Sequence, residues 1–365
     1  MPDTCQPSPA SVVEPGIFIP GERHHPVRRG LSTLLVVAIA IALLAALRTS
    51  VVSDILDRNS STPAAVFPDS AGVRGLVVLP DDGRNAILDE IDRARSSIDL
   101  YVYLLPADEV LTALSDAHAR GVTIRVVLEP DPFGGGNSNQ DAYDRLDAAG
   151  IDVRWSSDRF QFSHIKTFVV DHQVAVIMTL NLSWSALTRN REFAVISTVP
   201  GDVQELSRLF DADWNGRSYQ PTGDFVTSPD NSRTVFRDLI DGATSSIEIY
   251  AEVVRDADLR QRLIDASEDG VSVRIIVPAG PSDDDLLIYR ELGANGIQVK
   301  LLADAYSHAK AIIVDGDRAF VGSQNLTQTS LEDNRECGII LSDRPNLARL
   351  TSVFRSDWNA SPLVD

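Results

Sequence analysis

The 365-residue chain has little cysteine and a deficit of positive charge. Its two cysteines, Cys5 and Cys337, lie on opposite sides of the one long apolar run. If that run spans a membrane, the two thiols face different compartments and cannot pair within one chain. A disulfide framework is therefore excluded, and no cysteine cluster offers a zinc site. Lysine and arginine number 33 against 52 aspartates and glutamates, giving a net charge of −19. An acidic surface repels polyanions, and basic stripes interleaved with aromatics are absent, so broad nucleic-acid binding is disfavoured. Histidines outside the repeated motif described below are scattered, with His118 on an expected helix and His172 in an expected turn. Asp283-Asp284-Asp285 lacks the glycine-spaced ligand loop of a calcium site and reads as a solvated loop. No metal and no other cofactor is expected.

Hydrophobic residues make up 44% of the chain, enough to fill a sizeable core. The length suits two domains or one large duplicated one. Residues 31–47 form an uncharged stretch of 17 in which only Ser32 and Thr33 are polar, preceded by Arg23, His24, His25, Arg28 and Arg29. Seventeen is the short end of a spanning helix, which needs about 17–25 residues. Basic residues stay inside, so the remainder is expected outside, at a cell surface or in a periplasm. The rival reading is a cleaved signal peptide, whose apolar region runs ~7–15 residues. This run is longer, and Ala45-Ala46-Leu47-Arg48 offers no clean small-x-small site. An uncleaved anchor is preferred; cleavage would make the protein secreted. The expected organisation is a disordered cytoplasmic tail (1–30), an anchor or signal segment (31–48), a linker (49–72), a first folded half (73–215), a polar linker with two prolines (216–230) and a second half (231–365).

Each half alternates helical and β-branched segments. Strands are expected over residues 98–103 and 247–254, then 122–128 and 271–277, each second run preceded by a glycine suited to end a helix, Gly121 or Gly270. Further strands are expected at 151–153 and 297–299, at 166–170 and 310–314, and at 174–177 and 318–321. This βαβ alternation predicts an α/β fold with a largely parallel sheet. Each half is expected to close on a helix ending at Asp213-Trp214-Asn215 or Asp357-Trp358-Asn359, the tryptophans being core anchors.

One pattern repeats at a constant offset of 144. His164-Ile-Lys166 with Asp171 recurs as His308-Ala-Lys310 with Asp315; Asn181 recurs as Asn325, and Asn190-Arg191-Glu192 as Asn334-Arg335-Glu336. A single His-x-Lys is usually an exposed pair of solvated residues. Two copies with the same downstream residues are an internal duplication. On a strand, positions two apart share a face, so each His and Lys point the same way. Imidazole beside ammonium is awkward unless an anion lies near, and a phosphate satisfies both. A neutral imidazole is a competent nucleophile towards phosphorus. Two halves meeting at a pseudo-twofold would bring both pairs to one pocket, where one His attacks and the other protonates the leaving oxygen.

The His-x-Lys-x4-Asp motif resembles the signature of the phospholipase D superfamily, in which it continues with Gly-Ser-x-Asn. Gly322-Ser323-Gln324-Asn325 supplies that continuation here, and the resemblance covers both halves. It implies a duplicated phospholipase D-like fold, two βα sandwich halves related by a pseudo-twofold with one shared active site. It also implies a metal-independent phosphodiesterase working through a phosphohistidine. Carried over, His164 and His308 are nucleophile and general acid, with His164 in the usual place of the nucleophile. Lys166, Lys310, Asn181 and Asn325, supported by Ser323, would hold the phosphate. Glu192 and Glu336 match the acidic residues that orient each His, and Asp171 and Asp315 are structural. The first half departs from the pattern with Met178-Thr179-Leu180-Asn181; Met178 is expected to add bulk near the pocket. The loop Pro132-Phe133-Gly134-Gly135-Gly136-Asn137 is expected to border it. The leading expectation is hydrolysis or exchange of phospholipid headgroups. The alternatives are cardiolipin-synthase-like phosphatidyl transfer, although such relatives usually carry two spanning helices, a nuclease, or an inactive lipid-binding homologue.

Overall fold

A computed structural model describes residues 72–133 and 138–364. The expected tail, anchor and tether up to residue 71, with Cys5, lie outside the described residues, as do Gly134 to Asn137 of the glycine loop. No described helix is long and apolar enough to cross a membrane.

The first half runs β1 (Arg74–Leu79), α1 (Asn85–Asp92), β2 (Ser97–Val102), α2 (Asp108–Ala119), β3 (Thr123–Leu128), α3 (Ser138–Ala148), β4 (Asp152–Trp155), β5 (Lys166–Val170), β6 (Val174–Met178), α4 (Trp184–Thr188), β7 (Glu192–Ser197) and α5 (Pro200–Trp214). The second repeats it as β8 (Phe225–Ser228), α6 (Ser232–Asp241), β9 (Ser246–Tyr250), α7 (Ala257–Glu268), β10 (Ser272–Pro278), α8 (Asp283–Ala294), β11 (Gln298–Leu302), β12 (Ala311–Val314), β13 (Arg318–Gly322), α9 (Gln328–Glu332), β14 (Glu336–Leu341) and α10 (Arg344–Ala360). Each half builds one seven-stranded sheet of the same topology, β1-β7-β6-β5-β2-β3-β4 and β8-β14-β13-β12-β9-β10-β11.

The expected largely parallel sheet is corrected to a mixed one. Only β2–β3–β4 and β9–β10–β11 pair in parallel, across helical crossovers; the other neighbours are antiparallel. For β5–β6 and β12–β13 the physical reason is loop length. Asp171-His172-Gln173 and Asp315-Gly316-Asp317 are too short for a crossover and force hairpins. Strand β8 also corrects the linker boundary, because it lies within 216–230 and forms the edge of the second sheet. Asp283-Asp284-Asp285 is not a loop but the first turn of α8, where acidic side chains favour the helix N-terminus and Ser282 caps it.

The turns show why their aspartates recur. Asp171 and Asp315 adopt left-handed φ of 54° and 53°. The Asp171 carboxylate accepts the backbone N–H groups of Arg95, Ser96 and Ser97, and Asp315 those of Thr244, Ser245 and Ser246. Burial raises each carboxyl's pKa, but these donors outweigh it and leave both below the usual range. Each aspartate thus ties its hairpin to the start of the neighbouring strand, β2 or β9.

Packing follows four layers. One apolar cluster lies between the first sheet and helices α1 to α3, and another between the second sheet and α6 to α8. The third joins the two sheets and contains residues of both halves, among them Tyr101, Ile165, Phe193, Tyr250, Ala309 and Val321. Trp214 stacks on Phe210 at 5.5 Å and Trp358 on Phe354 at 5.7 Å at the border of this shared core.

Met178 proves to be a core residue. It is completely buried in the outer cluster of the first half, opposite Ala194 on β7. Its counterpart Gly322 faces Gly338, and a Cβ on Gly322 would lie 2.4 Å from Gly338 Cα and 2.6 Å from the Phe320 ring. Phe320 in one half and Val176 in the other occupy equivalent places. The large Phe320 therefore requires two glycines, whereas the small Val176 leaves room for Met178 and Ala194. The expectation that Met178 crowds the pocket is corrected: it exchanges volume within the core.

Two substitutions test this exchange by thermal unfolding. Gly322→Ala should overpack its site and destabilise by roughly 1–3 kcal/mol. Met178→Gly should leave a cavity and cost roughly 2–5 kcal/mol rather than open the pocket. Two neutral results would refute the account.

Candidate active site

The two histidines do not lie on regular strands. His164 precedes β5 by two residues and His308 precedes β12 by three, where the halves touch. Ser163 bridges to Arg335, and its equivalent Ser307 bridges to Arg191. The backbone N–H of Arg335 donates to Phe162 O at 2.8 Å, and that of Arg191 to Tyr306 O at 2.9 Å. This reciprocity is the pseudo-twofold expressed in hydrogen bonds: each Asn-Arg-Glu triplet pairs with the other half's His-Lys segment.

Successive strand residues point to opposite faces, so the Arg and Glu of a triplet take separate tasks. His164 Nδ1 donates to Glu336 Oε2 at 2.8 Å. His308 Nδ1 lies equally close, 2.8 Å, to Glu192 Oε1, although the contact is poorly aligned for a hydrogen bond. Each histidine is thus held by the glutamate of the other half, not by the one 28 residues further along its own. The arginines cross in the same sense. Arg335 forms a two-bond pair with Asp213 at 2.7 and 3.0 Å, and Arg191 one with Asp357 at 2.8 and 3.1 Å. These are the aspartates of the repeated Asp-Trp-Asn triplets.

A layer of hydroxyls fixes the glutamates. Thr179 donates to Glu192 Oε2 at 2.6 Å and accepts from the Phe193 N–H at 2.9 Å. Ser323 does the same in the second half, bonding Glu336 and accepting the Cys337 N–H at 3.0 Å. Ser330 and Asn334 also donate to Glu336, at 2.5 and 3.1 Å. Ser323 was expected among the phosphate-binding groups. In the structure its side chain is fully buried and its hydroxyl is taken up by Glu336 and the Cys337 N–H. Burial raises the Glu336 carboxyl's pKa, but His164 and Lys166 outweigh it and hold it below the usual range.

The pocket face is cationic and desolvated. Burial pushes His164 down to about 4 against the pull of Glu336, and Lys166 and Lys310 add to the push. Burial likewise brings Lys166 down to about 7, with Lys310 contributing repulsion. The two lysines feel each other, and Lys310 acts on His164, so both motifs share one site. Lys166 Nζ donates to His164 O at 2.7 Å and lies 4.9 Å from the centre of the Tyr103 ring, which meets His164 edge-on at 4.6 Å. Lys310 Nζ donates to His308 O at 2.6 Å and to Glu252 Oε2 at 2.8 Å. Asn181 and Asn325 each carry a buried amide oxygen with no partner. A buried amide oxygen without a donor leaves a place for a ligand atom that brings one. Two ammonium groups, two imidazoles and two underused amides are an arrangement that can receive a tetrahedral oxyanion, with Nε2 of His164 left as a free lone pair.

Tyr103 and Glu252 were not anticipated from the sequence. The repeat Ser96-Ser97-Ile98-Asp99-Leu100-Tyr101 and Ser245-Ser246-Ile247-Glu248-Ile249-Tyr250, continued two residues further, arrives at both. Phe133 borders this side: its N–H donates to the Tyr103 hydroxyl at 2.6 Å and its side chain is exposed.

Comparison with known proteins agrees with this geometry. The family described as "Cardiolipin synthase, PLD-like domain" matches residues 87–214 and 236–358, one copy in each half. The chain is 23% identical to a cardiolipin synthase of Geobacillus kaustophilus, over 77% of this chain and 65% of that protein. It is 24% identical to a minor cardiolipin synthase of Bacillus subtilis, over 76% and 79% of the two. It spans slightly less than two thirds of the length of the first of these relatives. Among solved structures, a phosphatidylserine synthase of Haemophilus influenzae superposes with a TM-score of 0.62 at 13% identity, covering 81% of this chain and 89% of that one. A polyphosphate kinase of Porphyromonas gingivalis superposes with a TM-score of 0.64 at 16% identity, over 77% and 46%. At these identities the superpositions speak to the fold alone. With a family match over most of both halves and two His-Lys motifs in the matched segments, the chain belongs to the phospholipase D superfamily.

Proposed function

We propose that this protein transfers a phosphatidyl group from a phospholipid to an alcohol acceptor through a phosphohistidine. The observation that carries the reading is the crossed pair of His–Glu contacts beside two buried lysines. The sequence by itself points first to hydrolysis or exchange of phospholipid headgroups. The relatives' names, cardiolipin synthases, favour transfer, with water as the acceptor that competes.

The first step forms an N–P bond from His164 Nε2 while the P–O bond to the leaving alcohol breaks. His308 gives its proton to that leaving oxygen. In the second step His308 takes the proton of the acceptor hydroxyl, the acceptor oxygen bonds phosphorus and the N–P bond breaks. His164 suits the nucleophile because Glu336 holds its Nδ1–H, leaving Nε2 free, and because burial keeps the ring neutral at pH 7. Lys166, Lys310, Asn181 and Asn325 would neutralise and orient the non-bridging oxygens. The uncharged run at residues 31–47 would tether this chemistry to a bilayer, with the folded halves outside the cytoplasm.

The full-length protein in phosphatidylglycerol vesicles should release glycerol and form cardiolipin, with phosphatidic acid as the hydrolytic product. His164→Ala and His308→Ala should each lose at least ~10³-fold in rate, on the scale of losing a nucleophile or its acid partner. Unchanged turnover in either variant, or no lipid product from the parent, would sink the reading. With a phosphodiester whose leaving group needs no acid, such as a p-nitrophenyl ester, His308→Ala denatured at alkaline pH should retain phosphorus on His164, whereas His164→Ala should retain none.

The crossed wiring gives a second expectation. Glu336→Gln should slow formation of the phosphohistidine, and Glu192→Gln should slow its discharge more than its formation; single-turnover kinetics separate the steps. The reverse pattern would reassign the nucleophile to His308.

The pH profile of kcat/KM should fall below about 4, as His164 gains a proton, and above about 7, as Lys166 loses one. Bound anion favours the ammonium, so kcat should fall less than kcat/KM on the alkaline side. Identical alkaline limbs would exclude Lys166 from substrate binding.

A further inference from the structure

The pocket contains a carboxylate that the two-step chemistry does not use. A single oxygen of Glu252, Oε2, faces the groups of the second motif that would meet the phosphate. It lies 2.8 Å from Lys310 Nζ, 3.4 Å from Asn325 Nδ2 and 3.6 Å from His308 Nε2. Its partner oxygen Oε1 lies 3.4 Å from the Tyr306 hydroxyl. The place Glu252 occupies in the first half belongs to Tyr103, which is neutral. Glu252 therefore breaks the symmetry of the pocket: the His164–Lys166 side presents an aromatic ring, and the His308–Lys310 side presents an anion.

We propose that Glu252 is a specificity residue that sets the charge this pocket accepts. Its Oε2 stands where a phosphoryl oxygen would otherwise sit, and it already neutralises Lys310. A phosphodiester carries one negative charge and no ionisable oxygen beyond it. It can seat against Lys166 and Asn181 and share Lys310 with Glu252. A phosphomonoester or free phosphate carries up to two charges at neutral pH. It would need the second cation as well, and it meets Glu252 at close range in a desolvated site. The carboxylate thus admits monoanionic diesters and rejects dianionic monoesters, including the phosphomonoester that hydrolysis would release. This inference rests on the phosphodiester reading of the site, but its consequence for binding does not require turnover.

The test measures binding of two small probes at pH 7, before Lys166 is fully discharged, by calorimetry on the full chain. Inorganic phosphate stands for the dianion and dimethyl phosphate for the monoanionic diester. Glu252→Gln keeps the shape and removes the charge, and Glu252→Asp keeps the charge on a shorter stem. The expected result is a gain in phosphate affinity on the order of tenfold for Glu252→Gln, with a much smaller gain for dimethyl phosphate. Glu252→Asp should stay close to the parent in its preference between the two. Glu252→Ala supplies a second removal of the charge, so the ratio is readable if one variant fails to fold. An unchanged ratio of the two affinities, or no phosphate binding in either uncharged variant, overturns the proposal. A changed ratio together with absent lipid turnover would keep the charge filter and discard the lipid substrate.

Discussion

The structure depends on one reciprocal exchange across the pseudo-twofold. Each half sends its Asn-Arg-Glu triplet to the other. The arginine closes a buried ion pair with the partner half's Asp-Trp-Asn aspartate, and the glutamate next to it holds the partner half's histidine. Two adjacent residues therefore carry both the cohesion of the halves and the geometry of the site. Buried ion pairs give little net stability when compared with apolar substitutes, but losing one partner strands a charge at a cost of roughly 3–5 kcal/mol. The pairing thus specifies how the halves dock more than how tightly. Neither half is a complete site, because each histidine would lack its orienting carboxylate.

The electrostatics of the pocket follow from burying cations beside cations. Two ammonium groups in a desolvated cleft repel one another, and the molecule relieves the repulsion unequally. On the first side burial lowers both His164 and Lys166, which leaves a neutral nucleophile and a lysine poised to gain from an anion. On the second side Glu252 lies against Lys310, whose cationic neighbours depress its carboxyl despite burial. A duplicated fold thereby acquires two chemically different faces without losing the shared frame. The hydroxyls of Thr179 and Ser323 show the frame at its most symmetric. Different residue types make the same two bonds, one to a glutamate and one to the next backbone N–H.

Divergence between the halves is tolerated where volume can be traded and resisted where charges cross. Met178 and Ala194 beside Val176 fill the same space as Gly322 and Gly338 beside Phe320. That exchange explains a departure from the Gly-Ser pattern that, read along the chain, pointed to the pocket. The position is on the strand leading to Asn181, but its side chain faces the outer core. Proximity in sequence to a functional residue does not indicate proximity in space when neighbouring side chains point to opposite faces.

Much of the molecule was legible in the sequence because duplication repeats its own signals. The constant offset of 144 marked His164, Lys166, Asn181, Glu192 and their counterparts, and the β-branched runs and helix-ending glycines marked the βαβ segments. Strands β1, β7, β8 and β14 carry no such signal, and the βαβ alternation points to a mainly parallel sheet where the structure has a mixed one. Pairing direction depends on where a chain returns, which local periodicity does not encode. The same reason separates residue identity from wiring. The sequence alone determined that the site holds paired histidines, lysines and glutamates. Only the tertiary structure decided that each glutamate serves the other half, that Ser323 lies behind the site, that Met178 is core, and that Glu252 enters the pocket. The crossing is an outcome of the two halves packing together, a contact between segments more than a hundred residues apart; the other three follow from which face each side chain takes once the strands have paired, and no local pattern in the chain records either.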